Sequence, residues 1–199
     1  MQDFVRFLLK KTYRYRAVEA GAIDEQVTAA LTNCIADVRY HYPDLTTADI
    51  IARIETNQNE LPVFLYRLGR TLYESGDNPE LMQALHWVLR ECCACELYFS
   101  NAIAVGFYVW HGVGTVIGSR TTIGRGFRIY QDCTIGNKSS ADRGRVLGDN
   151  VTLFAHSQIL GDVNVGDNVT IGSHSLVLDD LPANSICYGI PAKAQRSQS

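Results

Sequence analysis

From residue 117 onward an aliphatic side chain returns every six positions: Ile117, Ile123, Ile129 and Ile135, then Leu147, Leu153, Ile159, Val165, Ile171 and Val177. Glycine directly follows six of them, at Gly118, Gly124, Gly136, Gly148, Gly166 and Gly172. A helix would repeat near 3.6 and an amphipathic strand near 2. A short repeat of six predicts a parallel β-helix instead. Each six-residue edge puts one aliphatic side chain inside a narrow prism, and three edges complete a coil. Stacked coils bury a continuous column and pair one another's backbone groups. Glycine or a small polar residue fits the corner.

One stretch interrupts the repeat. "GNKSSADRGRV", between Ile135 and Leu147, is polar and rich in turn formers. Twelve residues separate those two positions, so an edge could carry Ala141 inward without losing register. Two arginines, a lysine and an aspartate suit a plain edge poorly. The stretch therefore reads as a loop, 137–146, extruded from the prism, and loops on rigid scaffolds often carry function.

Residues 1–98 read as helices. Thr46 with Asp49 resembles a capping box before "IIARIETN". Pro62 can open a helix that buries Phe64, Leu65, Leu68 and Leu72, with Gly76 ending it. Asn78 and Pro79 start the next helix, "ELMQALHWVLRECCACELY". The first sixteen residues, "MQDFVRFLLKKTYRYR", read as a helix with a basic face and lack a signal-peptide core. The expected fold class is α+β: an α-helical domain, 1–98, then a β-helix domain, 99–199, with a short C-terminal tail.

A net charge of −3 offers no basic field for nucleic acid. No apolar run is long enough to span a membrane, and a cytoplasmic protein is expected. The six cysteines then read as reduced packing residues. "CCAC" has a C-x-x-C spacing but no second pair for zinc. His86, on a helix beside Trp87, reads as structural. His156 and His174 lie one coil apart and should stack on an outer face.

The chemistry-bearing candidate is His111, in "FYVWHGVGTVIG" just before the repeat. A histidine in an apolar segment is commonly a packed core residue. A neutral imidazole beside a hydroxyl can also act as general base. The residues alone leave both readings open.

The hexapeptide run, "HGVGTVIG", the loop ending "DRGR", "ILGDVNVGDNVTIGSHSLVL" and the closing "GIPAK" resemble the serine acetyltransferases. These belong to the left-handed β-helix acyltransferases, and the hand of the coil is implied by the resemblance alone. The similarity is strong from about Tyr66 to Lys193 and looser before it. It implies acetyl-CoA-dependent O-acetylation of serine, with His111 as base and Glu96, fifteen residues upstream, as the carboxylate that orients it. It also implies direct attack of the hydroxyl on the thioester, with backbone N–H groups of Gly136 and Asn137 meeting the oxyanion. Ala155 and Ser173 would flank the pantetheine arm, with Lys193 near phosphate and no metal. Cys133 stands close enough to His111 in this alignment to line the site.

This sequence departs from the family at the acceptor. The aspartate that precedes the base in the family is Trp110 here. The Arg–His pair of the loop becomes Arg143 followed by Gly144, next to Asp142. An Asp-Pro of the helical part is matched by Tyr42–Pro43. Two counter-charges for a substrate ammonium are therefore missing. Arg143 could still hold a carboxylate. Trp110 could meet an ammonium by a cation–π contact, or Trp110, Tyr108 and Tyr130 could stack on a sugar.

Three functions follow. The chain is an O-acetyltransferase of serine or a related hydroxy amino acid, acting in cysteine biosynthesis. Alternatively it acetylates a saccharide or another small alcohol. Or it is a non-catalytic hexapeptide scaffold. The resemblance implies a homotrimer, and in many members two trimers join through the helical part. The family's tail often ends in isoleucine, which docks into cysteine synthase. This chain ends "AQRSQS", so that complex is absent or differs in mode.

Overall fold

The computed structural model describes residues 1–11, 23–76 and 78–196. Part of the basic opening segment (residues 12–16) and the last three residues of "AQRSQS" lie outside them. Among the described residues five helices come first: α1 (Gln2–Leu9), α2 (Asp24–His41), α3 (Thr47–Thr56), α4 (Glu60–Ser75) and α5 (Pro79–Cys93). Thr46 and Asp49 form the expected capping box on α3. Asn78 caps α5 with Pro79 in its first turn. Gly76 ends α4 in the left-handed region, at φ 71°. The start of α4 lies two residues before Pro62, at Glu60. No helix among the described residues is long and apolar enough to cross a membrane.

After α5 the chain winds as a prism of three parallel sheets. One sheet stacks, in order, Glu96–Leu97, Val116–Ile117, Thr134–Gly136, Gln158–Leu160 and Leu176–Val177. The second stacks Ala102–Ile103, Thr121–Ile123, Arg145–Leu147 and Asn164–Val165. The third runs from Tyr108–Val109 through Arg128–Ile129, Thr152–Leu153 and Thr170–Ile171 to an antiparallel hairpin, Ser185–Gly189 with Ala192–Arg196. All ten aliphatic residues of the repeat are buried. Leu97, Ile103 and Val109 extend the column upstream. A second buried ladder of small residues, Cys95, Thr115, Cys133, Ser157 and Ser175, lines one inner corner.

The coil thus begins at Glu96, and the last helix ends at Cys93, so the division falls earlier than residue 98. The reason is a change of step. Val109 and Ile117 are eight residues apart, whereas the other inward positions up to Val109 and from Ile117 to Ile135 are six apart. The two extra residues sit in the corner that contains His111.

Helices and prism are joined by a buried ion pair. Arg67 of α4 donates from Nε and Nη2 to the two carboxylate oxygens of Asp37 on α2, at 2.7 and 2.8 Å. It also donates to the carbonyls of Ile103 and Ala104. Asp37 accepts from the amides of Gly106 and Phe107 as well. This pairing fixes α4 against the first coil and therefore against the His111 corner.

Candidate active site

His111 stands on the surface, not in the core. Its backbone lies in the left-handed region, at φ 66°. That is an uncommon place for a residue with a Cβ, and other corner residues of the prism, His156 and His174 among them, share it. Among the described residues its ring makes no hydrogen bond, and the ring of Trp110 is 6.3 Å away. The packed-core reading of His111 is therefore excluded by its exposure. The corner around it is a tight double turn. Gly112 and Gly114 also have positive φ, and Val113 and Thr115 donate to the carbonyls of His111 and Gly112. The amide of His111 donates to Asn59 Oδ1 at 2.8 Å.

Beside this corner runs an outward aromatic row. Tyr108 meets Trp110 edge-on at 5.1 Å, Trp110 stacks on Tyr130 at 5.9 Å, and Tyr130 stacks on Phe154 at 4.9 Å. Tyr130 thus has a ring on both faces and offers a ligand only its edge. Trp110 keeps a partly open surface next to His111. Tyr108 is buried and donates its hydroxyl to Glu60 Oε1 at 3.0 Å. Burial first, then the Glu60 charge, pushes that phenol well above its ordinary range. Glu60 also binds Arg53. Tyr42 packs against Tyr108, with the Arg53 guanidinium over its ring at 5.3 Å.

Glu96 is not joined to His111. Its carboxylate pairs with Arg90 of α5 at 3.0 Å, because the last helical turn lies directly beside the first strand. The expectation that Glu96 orients the base is corrected by this pairing.

The loop is extruded, and it is shorter than expected. Residues 145–147 already form a strand, which leaves 137–144. Six extra residues lengthen this coil: Thr121 pairs with Arg145, 24 positions on, where the next coil steps by 18 from Val146 to Asn164. The two arginines of "DRGR" divide the work. Arg145 turns inward, wholly buried, and donates to Asn137 Oδ1 at 2.8 and 3.0 Å and to the Ser119 carbonyl. Arg143 stands in solvent with its side chain 94% exposed, its Nε 3.8 Å from Asp162 Oδ2. Asp142 is not free for a substrate. It accepts from the Ser139 amide and hydroxyl and from the Lys138 amide, and these bonds hold its carboxyl below the usual range, the Ser139 amide foremost. The Asn137 side chain likewise serves Arg145.

Ala155 and Ser173 lie on consecutive coils, and His174 donates its amide to the Ala155 carbonyl. Lys193 lies opposite Tyr188 in the terminal hairpin. His156 and His174 stack as expected, 4.6 Å apart with nearly parallel rings. Cys133 does not line a site: it is buried, donates to the Phe154 carbonyl at 3.2 Å, and its thiol is pushed up by burial. His86 stacks on Phe99 at 4.1 Å, a packing role. Among the described residues no three His, Cys, Asp or Glu side chains cluster to hold a metal.

The bacterial transferase hexapeptide model, which describes six repeats, matches residues 146–179. A serine acetyltransferase of Synechocystis is 36% identical over 133 residues, covering 66% of this chain and 53% of its own length. Serine acetyltransferase 2 of Arabidopsis thaliana is 33% identical over 133 residues, 41% of its length. This chain is a relative of the serine acetyltransferases. It spans about half the length of the curated relatives it matches. Among solved structures, the serine acetyltransferase of Vibrio cholerae superposes with a TM-score of 0.77 at 25% identity, over 98% of this chain and 80% of that one. That of Neisseria gonorrhoeae gives 0.79 at 24%, over 98% and 78%. The fold is the helical domain and left-handed parallel β-helix of those structures. Solved serine acetyltransferases include complexes with serine and with CoA.

Asn59 and Glu60 were not visible as site residues in the sequence. Both lie at the start of α4, 48 or more positions before the segment they hold. No local spacing signals such a contact.

Proposed function

We propose that this chain transfers the acetyl group of acetyl-CoA to the hydroxyl of a small acceptor, with His111 as general base. The observation that supports it most is the His111 corner: an imidazole with its ring in solvent, on the enlarged turn of the first coil, in the place the serine acetyltransferases use for their base. The neutral imidazole takes the hydroxyl proton. The oxygen forms a bond to the thioester carbonyl carbon, and the C–S bond breaks. The departing thiolate recovers the proton from the imidazolium, giving free CoA and the acetyl ester. Backbone N–H groups of Gly136 and Asn137 meet the transient oxyanion. Ala155 and Ser173 flank the pantetheine arm, and Lys193 faces the phosphates. Arg143, exposed on its loop and only loosely paired with Asp162, suits a carboxylate. The relatives make L-serine or a related hydroxy amino acid the first acceptor to consider.

One observation favours a second acceptor class. Where the family presents an aspartate to the substrate amine, Tyr42 packs on Tyr108 and carries the Arg53 cation over its ring. Arg53 is neutralised by Glu60, so this place offers no spare counter-charge to an ammonium and suits an acceptor without one, such as a saccharide hydroxyl. Exposed Val146, Ile186, Tyr188 and Ile190 on the prism faces fit the homotrimer that the resemblance implies.

The test is thiol release from acetyl-CoA by the purified protein with L-serine, L-homoserine, hydroxy acids lacking the amine, and common sugars. Turnover with serine supports the first acceptor class. Turnover confined to amine-free acceptors supports the second. No acetyl ester from any of them overturns acetyl transfer to a small hydroxyl.

A further inference from the structure

Six left-handed corner residues of the prism share one pattern of backbone bonding. Asp132, His156 and His174 donate their amides to backbone carbonyls of the coil before them, those of Val113, Gln131 and Ala155. Asn150, Asn168 and Asn184 do the same at another corner, to Arg125, Asp149 and Asp167. All six have positive φ. His111 shares that backbone conformation, but the coil carbonyl at its corner is already taken: Gly114 donates to Ala94. His111 lies in the two-residue enlargement of the corner, with no rung above it.

Its amide instead reaches Asn59, on the helical domain. Asn59 precedes the first turn of α4 but does not cap that helix with its side chain. Its own backbone amide is held by Asn57 Oδ1 at 3.0 Å, which anchors the residue whose side-chain oxygen meets His111. The adjacent residue, Glu60, holds the Tyr108 hydroxyl three positions before His111. Two consecutive residues at the start of α4, its N-cap Asn59 and its first residue Glu60, thus grip the chain on both sides of Trp110.

We infer that Asn59 is a positioning residue for His111: its side-chain oxygen substitutes for the missing coil carbonyl and fixes the backbone from which the base projects. The inference rests on the proposed role of His111. It assigns the helical domain a part in catalysis without any contact with substrate.

The test compares Asn59→Ala, which removes the acceptor, with Asn59→Asp, which keeps one, and with His111→Ala. Thiol release from acetyl-CoA is followed with L-serine as probe, and exchange of the His111 amide with solvent is followed by NMR. A base displaced by about an ångström loses roughly 100-fold in rate. Asn59→Ala is therefore expected to lower kcat by about 10- to 100-fold, with the KM for acetyl-CoA and the Tm unchanged. Asn59→Asp should restore most of the rate. The His111 amide should exchange faster in the Ala variant and at the wild-type rate in the Asp variant, and this readout decides the matter if serine proves not to be an acceptor. Wild-type kcat in Asn59→Ala, a loss that Asn59→Asp does not rescue, or an unchanged amide exchange rate overturns the inference. If His111→Ala retains wild-type turnover, the proposed base falls first; a dead His111→Ala beside a fully active Asn59→Ala removes only the positioning role.

Discussion

Removing the Asp37 carboxylate should loosen the joint on which the proposed site depends. Asp37 is wholly buried and accepts four bonds, two from Arg67 and one each from the amides of Gly106 and Phe107. Breaking one side of a buried ion pair costs about 3–5 kcal/mol, because a charge is left without its counter-charge. Each stranded amide adds about 1–3 kcal/mol. Arg67 keeps two carbonyl partners, Ile103 and Ala104, which limits its share. Asp37→Ala is thus expected to lose at least about 5 kcal/mol, comparable with the whole stability of a marginal domain at about 5 kcal/mol. Urea unfolding followed by circular dichroism measures this. Asp37→Asn keeps one acceptor and should unfold at an intermediate midpoint. The double variant Asp37→Leu/Arg67→Met leaves no lone charge and should be more stable than Asp37→Leu alone. A loss below about 1 kcal/mol in Asp37→Ala, or a double variant less stable than the single, would refute the reasoning.

Packing of the coils gives a second expectation. A Cβ at Gly166 would stand 2.4 Å from the backbone nitrogen of Ala183 on the next coil, so Gly166→Ala should cost about 1–3 kcal/mol, read as a lower Tm. In the loop, Arg145→Ala should destabilise the protein and expose residues 137–144 to protease, since it removes the buried guanidinium from Asn137 and Ser119. Arg143→Ala, at a fully solvated position, should leave Tm unchanged. Burial lowers the folded-state pKa of His86 from its ordinary 6.5. The unfolded chain therefore takes up that proton first, and stability should fall as pH drops from neutrality through 6.5 toward the folded value. His86→Phe, which keeps the stack on Phe99, should show a shallower fall between pH 7 and 5, measured as Tm against pH.

Much of the prism was legible because its inward residues repeat strictly. Ile117 to Val177 stand in one register, and each is buried as that register requires. The first coil escaped for a physical reason. The corner with His111 holds two extra residues, so Leu97, Ile103 and Val109 fall out of phase with everything after them. The loop insertion did the opposite: it adds six residues, one full edge length, and so conceals itself in the count. Polarity betrayed it where periodicity could not. Within the site, His111 could be found by composition and resemblance, but Asn59, Glu60 and the pairing of Glu96 with Arg90 could not. Those depend on how α4 and α5 lie against the first coil, and nothing in the local spacing of residues 59–60 or 90–96 encodes it. The two arginines of "DRGR" show the same limit, since only the fold distinguishes the buried Arg145 from the exposed Arg143.

The central claim is that His111 removes the acceptor proton. The most direct measurement is the rate of thiol release from acetyl-CoA by His111→Ala, with whichever acceptor the wild-type protein acetylates. General-base catalysis typically contributes a factor of about 100–10,000, so the variant should fall by at least about 100-fold with its fold and CoA binding intact. A variant that turns over at the wild-type rate would show that the exposed imidazole at this corner takes no part in the chemistry.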